Sequence, residues 1–147
     1  MKYTLHTDAS YAKTSKTASY AFIAEFGGFS HKESGILKRD VEDNLIAELL
    51  AFSKGLSFIN KIVHKEERPL IELEVYSDCD WVLRVLRGYS TGSKQHMVVK
   101  AVKHAMAGYK IKPHHVKSHQ EKMDEHMILN SWCDHAARAE LQRDGWL

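Results

Sequence analysis

The chain has 147 residues and a formal net charge of +2 with its ten histidines neutral. That length suits one domain with one full core, and the charge is too small to name a polyanionic partner by itself. No apolar run is long enough to cross a bilayer, and residues 1–8 carry no signal-peptide hydrophobic region, so a cytoplasmic protein with no membrane partner is expected.

In chain order, residues 2–8 read as a strand with Tyr3 and Leu5 on one face, followed by a polar loop over 10–17. Residues 19–26 are apolar on both faces and predict a central strand. Gly27-Gly28 is a two-residue hairpin signal, and the returning strand, 29–37, is polar as an edge strand should be. Residues 43–60 give the clearest helix, with Leu45, Ile46, Leu49, Leu50, Phe52 and Leu56 as its apolar stripe and Asp40 or Asp43 as its cap. A charged link over 61–68 leads to a fourth strand. A helix ends near Gly88, and a flexible piece over 89–93 follows. A basic helix over 95–107 is closed by Gly108. Pro113 precedes a short strand over 114–117. After a loop at 121–124, a last helix over 125–143 turns Leu129, Trp132, Cys133, Ala136 and Ala137 inward. Three hairpin-joined strands, then strands separated by helices, predict an α/β domain spanning residues 1–147. Its five-stranded mixed sheet, three antiparallel strands plus two parallel, is flanked by helices.

The fourth strand organises the rest. Ile71, Leu73 and Val75 alternate with Glu72, Glu74 and Tyr76, and Asp78 arrives at the strand end. Taken alone, Asp78 reads as the N-cap of the helix that follows. Three other acids share its kind of setting. Asp8 ends the first strand, Glu48 borders the buried stripe of the first long helix, and Asp134 lies in the last helix. Ligands of open α/β sheets gather beyond strand ends, and neighbouring first and fourth strands would unite Asp8 with Asp78. Four converging carboxylates repel one another unless a cation is present. All-oxygen ligands favour Mg²⁺ or Mn²⁺, and two such ions about 4 Å apart are the apparatus of phosphodiester cleavage. Residues 84–122 hold nine Lys and Arg against only Glu121, a basic half that suits a polyanion beside bound metal or, equally, a solvated lysine face.

Five segments in order carry a resemblance: His6-Thr7-Asp8-Ala9-Ser10, Asn44-Leu45-Ile46-Ala47-Glu48-Leu49, Tyr76-Ser77-Asp78, Val116-Lys117-Ser118-His119 and Asn130-Ser131-Trp132-Cys133-Asp134. The chain resembles type 1 ribonuclease H, the hybrid-specific endonucleases of the ribonuclease H-like fold. The resemblance implies that Asp8, Glu48, Asp78 and Asp134 hold two Mg²⁺ ions, with Mn²⁺ as a possible substitute. It implies that His119 assists proton transfer or product release, that Asn44 meets a 2′-hydroxyl, and that Ser10 lies near the RNA strand. The implied reaction cuts the RNA of an RNA–DNA hybrid, giving 5′-phosphate and 3′-hydroxyl ends, with the protein acting as a monomer.

The chain departs from the family at several positions. Ala9 replaces the usual Gly, and the loop over 11–17 contains no Gly or Pro. Asp43 and Leu45 flank Asn44 where uncharged polar residues are usual, and Asp80 stands where Gln or Asn is common. Acids facing phosphate weaken binding unless metal or lysines compensate. The stretch between Arg87 and His96 is too short for an extra basic helix.

His114, His115 and His119 with Cys133 make an incomplete zinc set, and two cysteines without a secretion signal read as reduced, packed side chains. Trp81 and Trp132 occupy core-facing helical positions. A catalytically weak hybrid- or partner-binding relative stays open, although all four acidic positions are filled. So does another nuclease of the same fold, of the resolvase, integrase or exonuclease type. Against the exonucleases, Asp8-Ala9-Ser10 lacks the glutamate of their Asp-x-Glu.

Overall fold

The computed structural model describes residues 1–38, 40–88, 96–117 and 124–146. In chain order the elements are β1 (Lys2–Ala12), β2 (Thr17–Phe26), β3 (Phe29–Lys38), α1 (Asn44–Ile62), a 3-10 turn (Lys65–Leu70), β4 (Glu72–Ser77), α2 (Asp80–Leu86), α3 (His96–Ala105), β5 (Lys110–His115) and α4 (Glu125–Arg143). The sheet order is β3-β2-β1-β4-β5. β1 pairs antiparallel with β2 and parallel with β4, β2 pairs antiparallel with β3, and β4 pairs parallel with β5. This is the mixed sheet expected from the sequence, with β1 and β4 adjacent.

Helices cover both faces. The main core lies between the sheet and α1, α2 and α3, where Phe22, Phe52, Leu5, Leu49, Leu73 and Val75 are fully buried. A smaller core joins Ala21 and Ile23 of β2 to Cys133 and Ala137 of α4, with Leu129, Trp132 and Ala136 packed against it. Trp81 and Trp132 therefore pack as expected, Trp81 against the main core and Trp132 against the smaller one.

One glycine sets how closely α1 docks. A Cβ on Gly55 would lie 2.6 Å from Cδ1 of Leu5, so a larger residue fits there only if the buried Leu5 side chain shifts. Glu48, Phe52 and Gly55 fall on one helical stripe, so this close approach also brings Glu48 down onto the sheet. The β2–β3 turn uses φ of 51° at Gly27 and 81° at Gly28, the doubly left-handed backbone of a two-residue hairpin.

Several boundaries differ from the sequence reading. β1 continues through Ala12, past the expected loop start, because it pairs with β2 as far as Thr17. The charged link contains a 3-10 turn with Pro69 inside it. β5 begins at Lys110 and contains Pro113, which was expected to precede the strand. A proline is tolerated there because β5 is the sheet edge. The cap of α2 is Cys79, not Asp78. Both cysteines are free, Cys133 buried in α4 and Cys79 just ahead of its helix. The expected flexible piece at 89–93 and most of the expected loop at 121–124 lie outside the described residues. No helix among those described is long and apolar enough to cross a membrane.

Candidate active site

Three of the four acids converge where β4 ends beside β1. Contrary to the expectation from the sequence, Asp8 does not end its strand but lies within β1, two residues past the last pair with β4, that of His6 with Tyr76. Asp8, Glu48 and Asp78 each offer a carboxylate oxygen, and the three oxygens lie within 4.8 Å of one another. Asp8 and Glu48 are buried, and Asp78 is half-buried. β1 and β4 run parallel with His6 in register with Tyr76, so Asp8, two residues on within β1, and Asp78, just past the end of β4, are brought together. Asp78 emerges beyond Ser77, whose hydroxyl accepts the Cys79 N–H at 3.0 Å. That bond turns the chain into α2 without using the Asp78 carboxylate, which leaves it for the cluster.

The electrostatics follow from this crowding. Burial, then the charges of Asp78 and Asp134, push the Asp8 carboxyl up to about 8, against one favourable N–H bond from Ala9 at 2.9 Å. Burial and the neighbouring Asp8 and Asp78 push Glu48 well above its usual range. Asp78 is raised by burial and by Asp134, and is partly relieved by His115 and by the Asn130 side chain. Oδ2 of Asp8 and Oε2 of Glu48 are buried with no hydrogen-bond partner. Buried oxygens crowded by like charge and lacking protein donors are what a hard divalent cation needs, so the residues fit Mg²⁺ or Mn²⁺.

Asp134, half-buried on α4, acts on both Asp8 and Asp78 electrostatically, although it is not one of the three closest acids. Ser10 follows Asp8 on β1, paired with Ser19 of β2. Asn44 is the exposed first residue of α1, directly after the cap Asp43, whose carboxylate accepts the Ile46 N–H at 2.8 Å. His119 lies outside the described residues. Asp80, expected to oppose phosphate, is paired with Arg84 at 2.9 Å. No His or Cys cluster of metal-binding spacing occurs among the described residues.

Two residues beside Asp78 were given no role from the sequence. Asn130 is buried on α4, its side chain favouring the charged form of Asp78 while its Oδ1 has no partner. The available signal was its place one helical turn before Asp134. The sequence offers His115 only as a possible zinc ligand, yet it is the register partner of Ser77, the residue before Asp78. Only the pairing of β4 with β5 brings it there.

A cluster of three acids where β4 ends beside β1, on a β3-β2-β1-β4-β5 sheet with α1 and α4 on opposite faces, defines a nuclease of the ribonuclease H-like fold with a candidate metal site. The RNase H family profile matches residues 1–142, and the chain belongs to that family as a ribonuclease H. No match was found among curated protein sequences. Solved structures share the fold at low identity. An RNase H1 isolated from compost by a metagenomic approach, LC11, superposes with a TM-score of 0.76 at 15% identity, covering 97% of each chain. RNase H1 of Halobacterium salinarum gives 0.74 at 14%, covering 97% of this chain and 99% of that one. LC11 has also been solved in complex with an RNA/DNA hybrid, with a TM-score of 0.73 at 15% identity over 97% of this chain and 98% of that one.

Proposed function

We propose that this chain hydrolyses the RNA strand of RNA–DNA hybrids internally, leaving 5′-phosphate and 3′-hydroxyl ends, and works as a single-domain monomer. The observation that carries the reading is the meeting of Asp8, Glu48 and Asp78 with buried, partnerless oxygens on an RNase H fold. These three acids, with Asp134, would hold two Mg²⁺ ions, with Mn²⁺ as a possible substitute. Bound there, the ions supply an activated water and Lewis acidity toward the scissile phosphate. The chain's own residues do the rest. Glu48 and Asp8, held between α1 and β1, fix the site's depth. Asn130 orients the Asp78 carboxylate. Asn44, exposed at the start of α1, offers its amide to a 2′-hydroxyl and so separates RNA from DNA. Ser10 adjoins the RNA strand near the cut, and His119 assists proton transfer or product release. The hybrid-bound LC11 structure, which shares this fold, supports the choice of substrate.

The test is cleavage of an end-labelled hybrid with Mg²⁺, beside duplex RNA, duplex DNA and single strands. Internal cuts confined to the RNA of the hybrid are expected. Asp78→Asn should abolish them while leaving the circular dichroism unchanged, because it removes charge and almost no volume. A folded wild-type protein that cuts nothing with either Mg²⁺ or Mn²⁺ would leave only a binding role. Cutting by Asp78→Asn would overturn the assignment of the site.

A further inference from the structure

One level below the carboxylates, aromatic rings run across the sheet in a ladder. His6, Tyr76 and His114 are register partners on β1, β4 and β5. His6 and Tyr76 stack with centroids 4.6 Å apart, and Tyr76 and His114 with centroids 4.7 Å apart. That interval is the spacing of neighbouring strands, so the register itself builds the stack. His126, in the first turn of α4, joins the ladder, with its ring centroid 3.9 Å from that of Tyr76. Its Nδ1 lies 3.0 Å from Nε2 of His6.

Burial fixes the hydrogen between these two rings. His6 is fully buried and its Nδ1 has no partner. A buried N–H without an acceptor is rarer and costlier than a bare acceptor, so the hydrogen of His6 belongs on Nε2. From there it can be donated to Nδ1 of His126.

The other end of the ladder is open. β5 is the edge strand, so among the described residues no strand supplies a ring beyond His114. Glu74 holds Nε2 of His114 at 3.2 Å, and the imidazole keeps 40% exposure. A pocket of about 540 Å³ lies between this end and the first turn of α4, lined by Tyr76, His114, His115, Lys117, Asp124 and His126. Its size is that of a small-molecule site. Its chemistry asks for a flat ring to extend the stack and an anion to meet Lys117 and His115. Asp124 caps α4 by accepting the Met127 N–H, and its carboxylate favours an amino group over a phosphate nearby.

We propose that this pocket binds a single nucleotide, its base stacked on the open face of His114 and its phosphate toward Lys117. Free nucleotide monophosphate supplies this chemistry, and so does an unpaired nucleotide at the end of a strand lying on the carboxylates. The pocket adjoins them, because His115 pairs with Ser77 immediately before Asp78. The inference goes beyond hybrid cleavage and stands without it.

The test is titration of the full chain with adenosine 5′-monophosphate in EDTA, following the imidazole ring signals by long-range ¹H–¹⁵N NMR. Those of His114 and His126 should shift saturably, while those of His31, His64 and His135 stay in place. His114→Ala should weaken the nucleotide about tenfold, the loss expected from one stacking surface. His114→Phe should preserve binding. Lys117→Gln, at an exposed position, should weaken the monophosphate but not adenosine. A hybrid with one unpaired terminal nucleotide, compared with a blunt one, separates the sources. A gain in affinity that His114→Ala removes assigns the strand end, whereas equal affinities with saturable monophosphate binding assign the free nucleotide. The proposal is overturned if inorganic phosphate shifts the same signals as far as the nucleotide does. It is also overturned if His114→Ala binds the nucleotide like the wild type, or if neither the monophosphate nor the overhang binds. EDTA empties the carboxylate site during this titration, so its outcome is independent of whether the protein cleaves hybrids.

Discussion

Asp8 concentrates the conflict on which the site is built. Its carboxyl, ordinarily near 3.8, is pushed up to about 8, first by burial and then by Asp78. A carboxyl raised on folding stabilises the fold fully below its unfolded pKa, and that stabilisation is lost as pH rises toward the folded value. Glu48 and Asp78 shift in the same direction. The metal-free protein should therefore melt several degrees lower at about pH 8 than at about pH 5. Asp8→Asn should flatten that dependence. Mg²⁺, which binds the charged carboxylates, should raise the melting temperature more at the higher pH. Thermal unfolding followed by circular dichroism reads all three. A wild-type melting temperature that climbs over this range without metal would contradict the burial argument.

At the level of elements, the site depends on how closely α1 approaches β1. Gly55 permits that approach, and Glu48 rides on the same helical stripe. Gly55→Ala gains about 1 kcal/mol of helix propensity. Against that gain, the new methyl meets Leu5 inside a packed core, and such overpacking costs about 1–3 kcal/mol. The variant should lose stability in denaturant unfolding and lose hybrid cleavage more than proportionately, because Glu48 moves with the helix. Leu5→Val in the same chain should recover part of both by making room. If Gly55→Ala is as stable and active as the wild type, the helix has slack that the packing does not suggest. α2 makes a similar point about charge. Asp80, an acid where the family favours amides, is neutralised by Arg84 one turn later, so its effect on a nearby phosphate is smaller than its sequence implies.

For the whole molecule, the question is how a chain of net charge +2 grips a polyanion. Lys100 on α3 and Lys117 after β5 are exposed, Lys103 is half-exposed, and Lys112 is already committed to Glu72. With about three phosphates met by these lysines, hybrid affinity should fall roughly fortyfold from about 50 to 200 mM salt. Replacing Lys100 and Lys103 with serine should flatten the slope of affinity against salt without changing the identity of the products. A slope unaffected by that double change would place the hybrid elsewhere on the surface.

The element order was legible from local pattern, and so were the elements that carry or adjoin the four acids, although Asp8 lies inside β1 and not at its end. Alternation along 71–76, the apolar stripe of α1 and the Gly27-Gly28 turn are properties of neighbouring residues, and neighbouring residues are what a sequence displays. The sequence also determined the charge each position brings, and the ordered motifs that resemble type 1 ribonuclease H. Long-range pairing decided the rest. The β4–β5 register places His115 near Asp78 and carries the ring ladder out to His114, and no spacing along the chain encodes a contact between residues so far apart. The extension of β1 and the inclusion of Pro113 in β5 were set by partner strands, which override local breakers where hydrogen bonds or an edge position allow it. Only the folded chain decided that Asp8, Glu48 and Asp78 share a buried point, because like charges meet against their own repulsion only where the surrounding packing holds them.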